Sequence, residues 1–349
     1  MLSKVRHPRS FARSGTGWQV VQREAVRHEA RFQRVFIEAV KAANAQLDVE
    51  FLIHAIESGN RAMLDREINR GVAAFMTALG ATYLPAVQDT LTDTGKALAR
   101  SFNRANSSLR AAAGSGGVGA DFSFTYTDPK AVSWAEQYAA KGLAGIQAET
   151  IAAIRGLVVQ SLNEQLTAAQ LARLITQTTG FGLTKGHMEA VMKFRQALLD
   201  NPGKIVRMGK KTKVRVPKWV TPGDEDSIAW ADAKAAKYRD RLLRVRARNI
   251  ARSSSIDSAN EAQLQTWGQM KGKGYLLGNE KKEWLISMGA CSEICAPMAN
   301  QKRGLNEAFD TGDGRKILRP GAHGSCRCGM RMVFLDANPK SIARVIAGV

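Results

Sequence analysis

From Arg31 the apolar positions take up a helical rhythm: Phe32, Val35, Phe36, Ala39 and Val40 stand at i, i+3, i+4, i+7 and i+8, which places them on one face of an α-helix. A second helical stretch runs near 49–56 and is broken by Ser58, Gly59 and Asn60. A third covers about 61–79 and ends at Gly80. A fourth spans about 84–109, with Gly95 as a weak point that costs about 1 kcal/mol relative to alanine. Residues 1–30 have little of this rhythm and carry Arg6, Arg9, Arg13, Arg23 and Arg27, so they read as a basic arm that orders on binding. Residues 111–120 hold four glycines in ten positions and read as a linker.

Beyond the linker the period changes. Phe122, Phe124 and Tyr126 alternate as in a short strand. Asp128 followed by Pro129 is a helix start, and the helix continues past Trp134 and Tyr138. A longer helix follows near 146–166. Thr167 with Gln170 forms a capping box that opens another, ending at Gly180. Residues 182–199 read as a helix closed by Asn201 and Pro202. Val214 and Val216 flank Arg215 at strand spacing, which with Gly209 at a turn predicts a projecting hairpin. Asp224, Glu225 and Asp226 then cap a long helix over about 227–270, with Leu242, Val245 and Ile250 as its buried side.

The expected fold is therefore mainly α and multidomain, ending in a small α+β domain cross-linked at a Cys/His cluster. Its divisions are an arm (1–30), a helical domain (31–110), the linker (111–120), a second helical domain (121–203), the hairpin (204–224), the C-terminal domain (225–335) and a tail (336–349).

Charge changes the picture next. The formal net charge is +20, an excess that draws polyanions because each neutralised phosphate releases counterions. The hairpin carries Lys204, Arg207, Lys210, Lys211, Lys213, Arg215 and Lys218 without an acid. The long helix adds a stripe with Lys234, Lys237, Arg241, Arg244 and Arg248. Such contacts fall on phosphates and read no bases, so the partner expected is double-stranded DNA without sequence preference. Trp219 beside the hairpin either stacks on a partner or packs beneath the arm. No stretch approaches 18 uninterrupted apolar residues, so no membrane partner is expected, nor is a secretory signal.

All four cysteines lie within 38 positions. Cys291 and Cys295 form one short knuckle; His323, Cys326 and Cys328 form a second, with 27 residues between Cys295 and His323. Tetrahedral zinc takes four N or S ligands, commonly from two such knuckles, and five candidates are present. Structural zinc, a disulfide in an oxidising setting, and reduced thiols all fit the spacing, with a reducing cytoplasm favouring metal.

Trp284, Cys291, Cys295, Gly304, Phe309 and the closing run Pro320, His323, Cys326, Arg327, Cys328 resemble the C-terminal domain of the phage Mu F-like minor head proteins, the phage head morphogenesis family. Arg248, Ile250, Ala251, Arg252, Asn260 and Ala262 extend the likeness upstream, over roughly 235–335. Arg319, Gly321 and Gly324 depart from a pattern richer in proline among relatives. The resemblance implies a minor capsid protein of a tailed bacteriophage, associated with the portal vertex of the virion head and assembled in the host cytoplasm. It also implies a role in head assembly, DNA packaging or ejection, with portal protein and major capsid or scaffold protein as partners, and no enzymatic activity.

Other chemistries are weaker. Cys326 with His323 has the types of a nucleophile and base, but no third residue to orient the pair. Asp310, Thr311 and Gly312 spell an aspartic-protease triplet without its apolar strand. Asp310, Asp313 and Glu293 are candidate ligands for a nuclease metal. The alternatives are thus a zinc-dependent nuclease, a head-carried effector or a zinc-knuckle nucleic-acid-binding protein. The short stretch after Cys328 speaks against an appended effector.

Overall fold

In a computed structural model, the structure describes residues 17–112, 121–163, 166–178, 181–208, 212–276, 280–287 and 289–334. Among these are seven α-helices and seven strands: α1 (Gly17–Ala45), α2 (Val49–Glu57), α3 (Arg61–Ala112), α4 (Pro129–Asn163), α5 (Ala168–Arg173), α6 (Lys185–Leu199), β1 (Ile205–Met208), β2 (Thr212–Arg215), α7 (Glu225–Gly272), β3 (Glu280–Leu285), β4 (Lys302–Gly304), β5 (Phe309–Asp310), β6 (Lys316–Ile317) and β7 (Gly329–Phe334). The chain is 67% helical with a small stranded C-terminal region, the mainly α class with an α+β end expected from the sequence.

Two compact units divide the chain. One gathers residues 1–32, 84–137 and 249–349; the other gathers 33–83 and 138–248. Each is assembled from segments remote in sequence.

Local chemistry explains several helix starts. Asp48 caps α2 by accepting from the Phe51 amide at 3.0 Å. Thr167 and Gln170 make the expected reciprocal capping box, and Thr184 caps α6. Four expectations need correction. The helix past Trp134 and Tyr138 and the one read near 146–166 are a single helix, α4. Residues 17–30, read as part of the arm, are helical, because Val20, Val21 and Ala25 bury against Ala97, Leu98, Ile256 and Ala259. Helix α3 runs through Gly80 and Pro85 without a break. An interior proline costs about 3 kcal/mol, and burial of Leu79, Tyr83, Ala86 and Val87 on one side offsets it. Phe122 and Phe124 form no strand. Their backbone is held instead by side-chain amides: Asn103 pairs with both polar groups of Phe122 at 3.0 Å, and Gln269 pairs with both of Thr125.

In the second unit the hairpin forms as expected, with β1 antiparallel to β2. Its inward pair, Val206 and Val214, packs against Phe194, Leu198, Val216 and Val220. The first half of α7 buries Ala231, Ala235, Leu243 and Ala247; Val245, expected on that side, is 36% exposed. Arg246 is buried there and donates to Glu149 at 2.7 Å while lying over the Phe36 ring.

In the first unit, the principal sheet has the order β4-β3-β7, all antiparallel. Lys282, on central strand β3, is fully buried. Its ammonium donates to the carbonyls of Leu305 at 2.8 Å and Leu318 at 2.7 Å, tying two loops to the sheet. Burial pushes its pKa down to about 8, against the pull of Glu261 and Glu307. A depressed lysine contributes stability that is present above its unfolded pKa near 10.5 and is lost as pH falls through about 8. Thermal unfolding of Lys282→Met should therefore differ from wild type in its pH dependence: wild type gains midpoint temperature between pH 8 and pH 10, and the variant lacks that gain.

Candidate metal centre

The site is built on strand β3 and on the two loops that follow it. Trp284, fully buried on β3, meets Phe309 edge-on at 5.2 Å between ring centroids, a pairing worth about 0.5–1.5 kcal/mol beyond its area. Its backbone pairs with Gln301 and Asn300. Around these rings lie Cys295, Met298, Ala322, Cys326 and Cys328.

The first knuckle follows β3. The Cys295 amide donates to Cys291 Sγ at 3.2 Å and the Ala296 amide to the Cys291 carbonyl at 3.0 Å, a tight turn closed by a short 3₁₀ segment, Ala296–Met298. The second knuckle winds from Gly321 (φ 126°) to Ser325 (φ 60°), both in the left-handed region, and closes with the Cys326 amide on the His323 carbonyl.

One face of α7 grips this second loop. Ser253 accepts from the Ser325 amide at 2.8 Å. Asp257 lies against Gly321, where a Cβ would stand 2.3 Å from its carboxylate. Asn260 faces the Cys328 carbonyl at 3.5 Å, and Glu261 holds Arg319. Gly329, next after Cys328, abuts Trp18 of α1 so closely that a Cβ would come within 1.7 Å of the ring.

The donors converge. Cys291, Cys295 and His323 place their ligand atoms within 4.8 Å of one another, as do Cys295, Cys326 and Cys328. Cys295 Sγ is 3.2 Å from His323 Nε2 and 3.8 Å from Cys326 Sγ. Two sulfurs on one tetrahedral zinc, each bonded at about 2.3 Å, stand about 3.8 Å apart. A disulfide would need about 2.05 Å, and all four cysteines are free thiols here. His323 Nδ1 sits 2.9 Å from the Gly324 carbonyl. A proton on Nδ1 for that carbonyl leaves the Nε2 lone pair facing the sulfurs, the usual outer-shell arrangement of a ligating histidine.

Electrostatics favour the same use. Burial, and then the neighbouring Cys326, push the Cys295 thiol up to about 12. The hydrogen bond from Cys326 to Cys328 raises the first thiol and lowers the second. Burial of the cluster thus disfavours several thiolates together unless a cation joins them. The residues fit a metal ion.

Most residues of the competing chemistries have other partners. His323 Nε2 faces Cys295, and Cys326 has its thiol pKa raised, the reverse of an activated nucleophile. Arg303 and Lys316 hold Asp310, and Arg315 brings the Asp313 pKa down to about 2. Among the described residues, both donor groups able to hold an ion lie in the cysteine cluster.

The basic residues read from the sequence lie in the other unit. Lys204, Arg207, Lys213, Arg215, Lys218, Arg241, Arg244 and Arg248 are exposed. Lys210 lies outside the described residues, and so does Lys211. Trp219 is 55% exposed and meets Trp230 edge-on. The sequence reading missed Lys282 and the Ser253, Asp257 and Glu261 grip. The available signal was a helix whose buried side is polar, through Ser254, Ser255, Ser258, Asn260 and Gln263. Compared with known protein families, curated proteins and solved structures, the chain finds no match.

Cys295 belongs to both donor groups, so its loss should cost most. Replacing Cys295 with Ala should lower the metal content of the purified protein further than replacing Cys291 or Cys328 does, as read by elemental analysis. Chelation should lower the unfolding midpoint of wild type and leave Cys295→Ala unmoved. Equal metal content in all three variants would deny Cys295 its shared position.

Proposed function

We propose that the chain is a minor head protein of a tailed bacteriophage that docks near the portal vertex, holds one structural zinc ion, and touches packaged DNA through phosphates. The observation that carries the reading is the convergence of Cys291, Cys295, His323, Cys326 and Cys328, because these residues also carry the likeness to the phage Mu F-like proteins. Zinc is supported by its tetrahedral sulfur spacing, which agrees with the 3.8 Å between Cys295 and Cys326. It would hold the two knuckles together, a task this small sheet needs done.

The DNA reading is supported by the hairpin. Its outward cross-strand pairs are Arg207 with Lys213 and Ile205 with Arg215. Like charges directly opposite destabilise a strand pair by some tenths of a kcal/mol, and a phosphate between them reverses that sign. Exposed Arg241, Arg244 and Arg248 on α7 add cations at helical spacing. Exposed arginines and lysines of this kind contact the phosphate backbone and read no bases. The role is binding and assembly, with portal, major capsid or scaffold protein as partners in the virion head.

Two measurements test the reading. Quantitative mass spectrometry of purified particles should find a few to a dozen or so copies per head, retained after tail removal; absence from both proheads and mature particles would sink the assignment. In duplex binding titrated with salt, the triple variant Arg207→Ala, Lys213→Ala, Arg215→Ala should flatten the log–log slope by about 0.9 per lost phosphate contact. An unchanged slope would take the hairpin out of the DNA contact.

A further inference from the structure

The C-terminal half of α7 forms one wall of an open cleft of about 1080 Å³. Leu264, Gly268 and Gly272 face it at four-residue intervals on the helix. Thr125, Thr127, Lys130 and Trp134 make a second wall; Leu305 and residues 316–319 make a third. All of these belong to the unit that holds the cysteine cluster.

The lining is apolar at its base and cationic at its rim. Leu318 is 47% exposed although its backbone carbonyl is tied to Lys282. Five cations line the cleft, Lys130, Lys271, Lys273, Lys316 and Arg319, against Asp128 and Glu261. Both acids are already engaged: Asp128 accepts from the Lys130 amide at 2.9 Å, and Glu261 accepts from Arg319 and Gln265. Arg319 also covers the Trp134 ring, and Lys273 donates to the Ser123 carbonyl. Lys130, Lys271 and Lys316 remain exposed along the rim, Lys316 with Asp310 as a distant partner at 3.8 Å. The surplus is positive, and it surrounds aliphatic surface.

The two glycines give the cleft its shape. A Cβ at Gly268 or Gly272 would meet nothing within 4 Å, so neighbouring packing does not require either. Each interior glycine costs a helix about 1 kcal/mol relative to alanine, while it lets another backbone approach α7 closely. The wall from Glu261 to Lys273 is about 18 Å long, or some three helical turns.

We propose that this cleft binds an amphipathic helix of a partner protein, with leucine-type side chains on its inner face and carboxylates along its edges. Apolar anchors at i, i+3, i+4 and i+7 would fill the aliphatic base, and the carboxylates would meet Lys130, Lys271 and Lys316, where charge sets orientation and partner choice. The site is separate from the hairpin and needs no DNA.

The test uses the full chain and a fluorescein-labelled amphipathic peptide of about 16 residues built from Glu, Ala and Leu, followed by anisotropy. The acidic peptide should bind at least about tenfold more tightly than its counterpart with every Glu changed to Lys. Gly268→Met projects a side chain into the cleft from a position with room for it. This variant should lose binding at least about tenfold while its unfolding midpoint does not fall. The pair Lys130→Glu, Lys271→Glu should weaken the acidic peptide and strengthen the lysine one. Equal binding of both peptides, or full binding by a folded Gly268→Met protein, would overturn the proposal. Displacement of the acidic peptide by duplex oligonucleotide from wild type, but not from the hairpin triple variant, would overturn it too, by making the hairpin the peptide's seat.

Discussion

The constraint on which the C-terminal region depends is that sulfur is its core. Of the seven buried residues in the cluster built on Trp284 and Phe309, three are cysteines. A sheet of three short strands with two shorter ones beside it buries too little apolar surface to stand on its own. Cysteine serves well as a small hydrophobe, but thiols facing one another at 3.8 Å gain little from packing that valine or leucine would not supply better. The arrangement becomes favourable once a cation draws protons off the thiols and binds them in common. The same raised thiol pKa that makes Cys295 inert as a nucleophile makes it dependent on that cation.

Helix α7 then decides where the second knuckle goes. Ser253, Asp257, Asn260 and Glu261 recur at four, three and one residues, on one side of the helix, and each meets the loop from Arg319 to Cys328. A loop that holds Ser325 in the left-handed region needs such outside support, because strained backbone persists where its surroundings over-determine it. Trp18 against Gly329 adds a steric stop at the far end, where any side chain larger than hydrogen would displace α1.

Much of this was legible in the sequence, and the parts that were not share a cause. The capping box of Thr167 and Gln170 is local, set by side chains and amides three residues apart, and it is readable for that reason. The cysteine knuckles were legible because cysteines and histidine have few other reasons to cluster. The hairpin could be read from alternation and a turn glycine. Gly80 and Phe122 misled because tertiary contacts outweigh propensity there. A long helix is held through a proline by the buried side chains around it, and an alternating segment is held by Asn103 and Gln269 rather than by a neighbouring strand. Arg246 and Lys282 escaped notice for a related reason. Nothing in a lysine's immediate neighbours tells that two carbonyls 23 and 36 residues ahead will receive its protons.

Lys282 links the parts of this unit that otherwise look independent. The two carbonyls it holds belong to Leu305 and Leu318, and both residues line the cleft. A neutral aliphatic side chain in its place would leave two buried carbonyls without donors, at a cost of about 1–3 kcal/mol each. It would also free the loops that carry the cleft's aliphatic surface. An exposed leucine such as Leu318 can present its side chain to solvent because its backbone is fixed from beneath. The buried charge is therefore better understood as a fastener for two loops than as a contributor of net stability, since desolvation opposes it. Its hydrogen bonds set the position of the wall, and the wall sets what the cleft can receive.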